Sequence, residues 1–489
     1  MVNTQEERSS TMSPHTTPTA PGRRCRLQQL QVLLLCAVGA LGCATPTRDK
    51  VRLEAYSWWT RPSEKNAFAR VLSIYNQAHP DSEAVNQVTE DSNATEVRAA
   101  LTARLLAGAP PSTFQANAGA DLLRWTAMDT TEAALASASR IAPLDGLFRR
   151  TGLADALPLD LYQALLAGPG RLPYAVPINI HRLNLIYYNT AALSQYRTDH
   201  AGQSFLDPEV LCPTNVDALL DRPQEKLPLQ IAVGLKDSFT LTLLALENLL
   251  PAVAGATPYN DDTLGSLYDE LFRGNLKEAQ WQEPVLRALQ CLQYLSRSFL
   301  PDTDLTWADA LNQVASGEAA FSVMGDWANG ELVQALAEGS VDVRPFPGSE
   351  STFVFTSDTF PLPVAAPYAS ESQDLLETLA SANAQVAFSL EKGSIPARVD
   401  ISPEEVRAAL GERAAQTRRA FDSTEIHKSI ATSGLFPPYY PDDLSARLAD
   451  MTAEGAPKES IDDVIVLLRN TLPLLKRWQT RIAEGQQAP

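Results

Sequence analysis

The chain has 489 residues, 45 % of them hydrophobic, and a formal net charge of −18. That length exceeds one ordinary hydrophobic core and predicts a body in two parts, while the negative balance repels nucleic acid and anionic lipid headgroups, so neither is a charge-driven partner. After residue 43 only His79, His181, His200 and His427 remain, scattered and without CxxC or Cys/His ligand spacing, which argues against a metal site; no cofactor is expected.

At the start of the chain a polar lead ends in Arg23, Arg24 and Arg26, followed by an apolar run over 32–41 and then Gly42-Cys43. This order reads as a secretory signal over 1–42. The run is about half of the roughly 20 residues that a membrane-spanning helix needs. Ala40-Leu41-Gly42-Cys43 resembles a lipobox, with Ala40 where Leu is usual, and so implies a lipid anchor on Cys43 and a tether over 43–50; plain cleavage or an uncleaved anchor are the alternatives. Loss of 1–42, with four Arg and two Glu, takes the charge to about −20. Cys25 and Cys36 leave with the signal, so Cys212 and Cys291 alone meet an oxidising space beside Cys43. They either form a disulfide, or Cys291 is a small buried hydrophobe in a helical stretch.

Further along, strand-like and helix-like segments alternate, which predicts an α/β fold with a mainly parallel sheet in each lobe. Residues 51–58 read as a short strand, and 64–78 as a helix with Ala67, Val71, Ile74 and Tyr75 on one face, stopped by Pro80. A second amphipathic helix spans 96–107, ended by Gly108 and Pro110-Pro111, and Phe114-Gln115 follows as a buried strand. The extended apolar segment 174–189, with Pro177 inside it, forms a first crossover. Helices follow over 241–250, 284–299 and 307–315, then a strand over 319–324; the Pro- and Gly-rich segment 342–363 and the stretch 392–400 return the chain, and 404–478 reads as helical. The predicted division is 51–177 plus 345–392 for the first lobe, 178–344 plus 393–480 for the second, and a tail over 481–489.

The adjacent Trp58 and Trp59 are costly to leave in water, whereas a pyranose offers a flat C–H face that an indole can cover. In order, SWWT, AGAPPSTFQ, VPINIHRLNLIYYN, GEAAFSVMGDWA, FPGSESTFVFTSDTF and EKGSIPARVD resemble the blocks of bacterial extracellular solute-binding proteins of family 1, in their glucose/mannose-type branch. The resemblance covers nearly the whole chain after the signal. It implies a periplasmic-binding-protein type II-like fold, two lobes joined by a multi-segment hinge, closing over a sugar. The function it implies is that of a non-enzymatic receptor of an ABC importer. Implied partners are the sugar and the permease subunits; the protein is then an exported monomer tethered to the membrane through Cys43.

Carried over by resemblance, Trp58 and Trp59 stack on the ring, Glu64 and Gln115 meet hydroxyls, Trp307 and Trp327 form a second aromatic wall, and Asp358 with Lys392 bind hydroxyls with opposite polarity. His427 stands where the family often has a histidine near the pocket. Asn117 replaces a histidine of glucose-preferring members, and Phe239 replaces an indole, so the preferred sugar is open. Plainer readings stand beside these. One of the two indoles is a core residue, because successive strand positions point to opposite faces; Asp326 caps a helix; Asp358 and Lys392 form an ordinary ion pair; His181, Arg182 and Asn184 brace the crossover; His427 is structural. A glycoside hydrolase would need two carboxylates about 5–10 Å apart with one acid held protonated, which nothing in the sequence assigns. A sugar-sensing lipoprotein that docks on a signalling partner is the other alternative.

Overall fold

The structure, a computed structural model, describes residues 50–88, 94–126, 139–168, 170–222, 224–256, 271, 277–435 and 439–484. The signal over 1–42, Cys43, residues 89–93 and the end of the tail over 485–489 lie outside the described residues.

The first sheet grows around Val51–Tyr56, whose Leu53 and Ala55 point into the core. Ser82–Gln87 and Thr113–Phe114 pair parallel to it on either side. Parallel neighbours require crossovers, and the Pro62–Ala78 helix supplies one. Pro62 opens that helix, and Glu64 in its first turn accepts a hydrogen bond from the Arg61 backbone N–H at 3.3 Å. Its buried face is Ala67, Phe68, Val71, Leu72 and Tyr75. Ile74, expected on that face, is only half-buried, because at 3.6 residues per turn Phe68 and Leu72 lie closer to the apolar stripe. The Ala94–Leu106 helix buries Val97, Leu101 and Leu105.

A second sheet sets Phe321–Val323 and Val341–Pro345 antiparallel on either side of Leu185–Asn189. A third sheet has the order Ile395–Pro396, Asn179–Arg182, Thr352–Thr356 and Glu425–Lys428. Ser357 alone separates Thr352–Thr356 from Asp358–Pro363, which pairs antiparallel with Ala116–Asn117, Ile141–Ala142 and Ala175–Pro177. One extended stretch of chain therefore serves two sheets. The fold is α/β as expected, with more mixed sheets than alternation suggests: among the described strands, parallel ladders occur in the first sheet and in the Thr352–Thr356 and Glu425–Lys428 pair, and Ile231 adds single parallel bridges to Phe299 and Phe321.

Apolar side chains gather into two large cores and a smaller one. Phe68, Phe114, Phe360, Leu375 and Phe388 belong to the first, which also takes in Ala397 and Phe421. The second is built from Ile186, Leu244, Leu289, Leu292 and Val464. Leu183, Tyr187, Leu311, Met324, Trp327 and Val354 belong to the third cluster. The helix expected over 241–250 is Phe239–Thr242 continued by a π-helical stretch, Leu243–Leu249, and then Leu250–Ala256. The expected helical run 404–478 is interrupted by the strand Glu425–Lys428, which extends the edge of the third sheet. Cys212 and Cys291 are joined by a disulfide that ties the Pro208–Leu211 helix to Glu278–Ser296. Among the described residues no helix is long and apolar enough to cross a membrane, and no group of three or more His, Cys, Asp or Glu could hold a metal ion.

Candidate functional site

Alternation along the extended chain after Val51–Tyr56 separates the paired tryptophans. Trp59 is 1 % exposed and packs against Phe68, Phe360 and Phe388 with ring centroids 5.0, 5.8 and 5.0 Å away. It is a core residue with no face left for a ligand, which corrects the expectation that both indoles stack. Trp58 stays half-buried, its backbone N–H donates to Gln115 Oε1 at 3.2 Å, and the Arg98 guanidinium lies 4.8 Å from its ring. Arg98 is held there by two bonds of 3.0 Å to Asp121.

From Gln115 a continuous polar chain runs inward. Gln115 Nε2 donates to Asp358 Oδ1 at 2.7 Å, and Asn179 Nδ2 donates to Asp358 Oδ2 at 2.8 Å. Asn179 Oδ1 accepts from the Asp358 backbone N–H at 2.9 Å, which fixes the orientation of that amide. Asn179 Nδ2 also lies 2.9 Å from His181 Nε2, and His181 Nδ1 bonds Asp326 Oδ1. Asp326 Oδ2 accepts from the Arg182 backbone N–H at 3.0 Å. Asp326 therefore braces the crossover strand, in place of the helix cap expected of it. Every member of this chain is buried.

The electrostatics follow from that burial. Burial alone would lower the His181 pKa, but the charge and bond of Asp326, reinforced by Asp358 at 3.4 Å, hold it above the ordinary histidine value. For Asp358, burial pushes upward, and the bond and charge of His181 with the charge of Lys392 bring the carboxyl below its usual range. The neutral imidazole, with its proton on Nδ1, satisfies Asn179 and Asp326 together; a second proton on Nε2 gains Asp358 and forfeits the Asn179 bond. Arg182, also buried, is lowered to about 10.

Lys392 and Asp358 do not pair directly. Lys392 Nζ instead donates to Glu64 Oε1 at 2.6 Å, joining the start of the Pro62–Ala78 helix to the end of Ala382–Lys392. Asn117 is in register with Asp358 across the sheet, and its Nδ2 donates to the Thr432 carbonyl at 2.8 Å. Trp327 belongs to the third apolar cluster, and Trp307 and Phe239 pack against it, the Phe239 ring 6.3 Å from that of Trp327. The edge of Trp327 also meets the His181 ring at 5.2 Å. Trp307 opens the Trp307–Ser316 helix, with Thr306 as its cap, and its backbone N–H donates to Asp237 at 2.7 Å. The Arg61 guanidinium stands 5.7 Å from the Trp307 ring and donates to Thr306 Oγ1 at 2.9 Å. His427, expected in a helical run, lies on the strand Glu425–Lys428 in register with Val354; it is buried, 3.9 Å from Glu425.

Trp58, Gln115, Asp358, Lys392 and Glu64 thus come from four separate segments, with Gln115 joining Trp58 to Asp358 and Lys392 joined to Glu64. The family model for bacterial extracellular solute-binding proteins matches residues 71–414. The chain belongs to this family. Members are binding proteins, and this solute-binding protein is accordingly a receptor rather than an enzyme. An uncharacterized ABC transporter extracellular-binding protein of Pyrococcus horikoshii is 25 % identical over 459 residues, which is 91 % of this chain and 96 % of that one. A probable sugar-binding periplasmic protein of Brucella suis is 26 % identical, covering 78 % of this chain and 85 % of its own. Among solved structures, a chitin oligosaccharide binding protein superposes with a TM-score of 0.64 at 17 % identity, over 87 % of this chain and all of that one, a likeness of fold.

Sequence reasoning underrated His181 and Asp326, which the structure places in the buried chain, and missed Asn179, Arg98 and Arg61 altogether. An Asn and a His two positions apart on one strand share a face, and that spacing was the available signal for Asn179 and His181.

Proposed function

We propose that this solute-binding protein captures a sugar and delivers it to the permease of an ABC importer, from a position outside the cytoplasmic membrane to which Cys43 anchors it. The ligand is a monosaccharide of glucose/mannose type or a small oligosaccharide, held by closure of the two lobes over 51–177 plus 345–392 and 178–344 plus 393–480. The observation that carries this reading is the meeting of a half-buried indole, Trp58, with a buried acid, amide and ammonium set in Asp358, Gln115 and the Glu64–Lys392 pair. An indole face covers ring C–H groups, while amides and charged groups orient hydroxyls. Trp307 and Trp327 supply apolar area for the far side of the ring, and Asn117 tunes which sugar is taken. His427 completes the set from the neighbouring strand. The sugar-binding name of the Brucella suis relative is consistent with this class of ligand.

Isothermal titration of a soluble form beginning at Arg48 with glucose, mannose, galactose and disaccharides tests the proposal. Saturable heat with one sugar and no product is the expected result. Absence of binding across the panel, or sugar turnover, would overturn it.

A further inference from the structure

We propose that Glu247 is a positioning residue for Asn117 and so for ligand preference, acting through the turn Ser429–Gly434. The inference rests on the role proposed above for Asn117 in choosing the sugar.

Glu247 lies wholly buried in the π-helical stretch Leu243–Leu249, an irregularity that often marks a working part of a helix. Three donors converge on its Oε1: Ser429 Oγ at 2.7 Å, the Ile430 N–H at 2.7 Å and the Ala431 N–H at 2.8 Å. Its Oε2 is buried and has no partner among the described residues. Burying a carboxylate with one oxygen unsatisfied is costly, and burial raises its pKa to about 7 against the pull of those bonds. What the arrangement secures is the shape of the turn.

That turn in turn sets the first lobe. Its carbonyls dock in sequence: Thr432 O takes Asn117 Nδ2 at 2.8 Å, Ser433 O takes the Asp121 N–H at 2.9 Å, and Gly434 O takes the Ala120 N–H at 3.0 Å. The approach is so close that a Cβ on Gly119, whose φ is +99°, would stand 2.1 Å from Gly434 O. Asp121 then accepts the Asn117 N–H at 3.0 Å and grips Arg98, which covers Trp58. One buried carboxylate in the second core thereby fixes an amide and, through Arg98, an indole on the other side of the site.

Hydrogen exchange and sugar titration of the full soluble protein test this. In Glu247→Leu, exchange at the Ala120 and Asp121 amides should rise by roughly tenfold or more, and affinity for whichever of glucose, mannose and galactose the wild type binds should fall about tenfold. Glu247→Gln, which keeps an accepting oxygen, should hold both changes under about threefold. In an Asn117→Ala background, Glu247→Leu should cause a smaller loss of affinity than in the wild type, because the amide it positions is gone and only the route through Asp121 and Arg98 to Trp58 remains. Should Glu247→Leu fail to fold, Ser429→Ala removes one of the three donors, with a change of about threefold expected at the same amides. Unaltered exchange at Ala120 and Asp121, or an undiminished affinity loss in the Asn117→Ala background, would overturn the inference. If the wild type binds none of the sugars but the exchange pattern is as expected, the positioning role stands and the sugar reading falls.

Discussion

Trp58 and Trp59 are neighbours in the chain with opposite fates, and the difference is measurable. Trp59→Ala removes an indole packed against three phenylalanines and should cost about 3–5 kcal/mol of unfolding free energy by denaturant titration. Trp58→Ala should leave stability within about 1 kcal/mol and weaken sugar binding roughly tenfold. Glu247 carries a second expectation. Its folded carboxyl holds a proton up to about pH 7, whereas the unperturbed group releases it near 4.5. The folded state therefore binds the extra proton across that window, and stability falls as pH rises through it. Thermal or chemical unfolding of Glu247→Gln between pH 4.5 and 7 should show this slope removed, a difference of about 3 kcal/mol end to end. At this scale the sequence disclosed residue types better than partners. Asp358 and Lys392 are both buried near the site, yet Lys392 pairs with Glu64, 328 positions away, and no local pattern encodes a meeting at that separation.

Among the elements, those with a strong internal period were legible. The Pro62–Ala78 and Ala94–Leu106 helices carry their apolar stripe and their stop signals in adjacent residues, and Val51–Tyr56 stands out before them. Glu425–Lys428 did not stand out: four residues between helices, with Glu, His and Lys among them, become a strand only because the edge of Thr352–Thr356 is there to pair with. The π-helical stretch was hidden for a similar reason, since its Leu-rich sequence suits an α-helix and the partner of its Glu247, the Ser429 turn, is distant in the chain. The disulfide makes its own prediction. It closes a sequence separation of 79 residues between Cys212 and Cys291, so the double Cys→Ser variant should lose about 2–4 kcal/mol of stability. Denaturation with and without a reducing agent should give the same loss in the wild type and none in the variant.

For the molecule as a whole, a second set of contacts lies outside the buried polar chain. Arg61 reaches Thr306 and Trp307, and Ser63 Oγ donates to Glu331 at 2.5 Å, so the start of one helix is tied to two segments bordering the third apolar cluster. A ligand that bridges the two lobes stabilises their approach by the contacts it makes only there. Small-angle scattering should give a smaller radius of gyration with sugar than without. Arg61→Ala combined with Glu331→Ala should enlarge the sugar-free radius and weaken binding; an unchanged radius in both comparisons would remove these residues from closure. The two-lobe α/β plan was readable from alternating elements and the order of the sequence blocks. The mixed third sheet was not, because its strands come from four stretches whose pairing depends on how the two cores meet.

The buried chain from Gln115 to Asp326 has a consequence for descent. Asp358 commits both carboxylate oxygens to protein partners, and Asn179 satisfies three different groups at once. No member can be exchanged singly without stranding a neighbour in a dry interior, so viable lineages must keep the group or replace it together. Single changes are tolerated more readily where a side chain answers to fewer neighbours, as the half-buried Trp58 does.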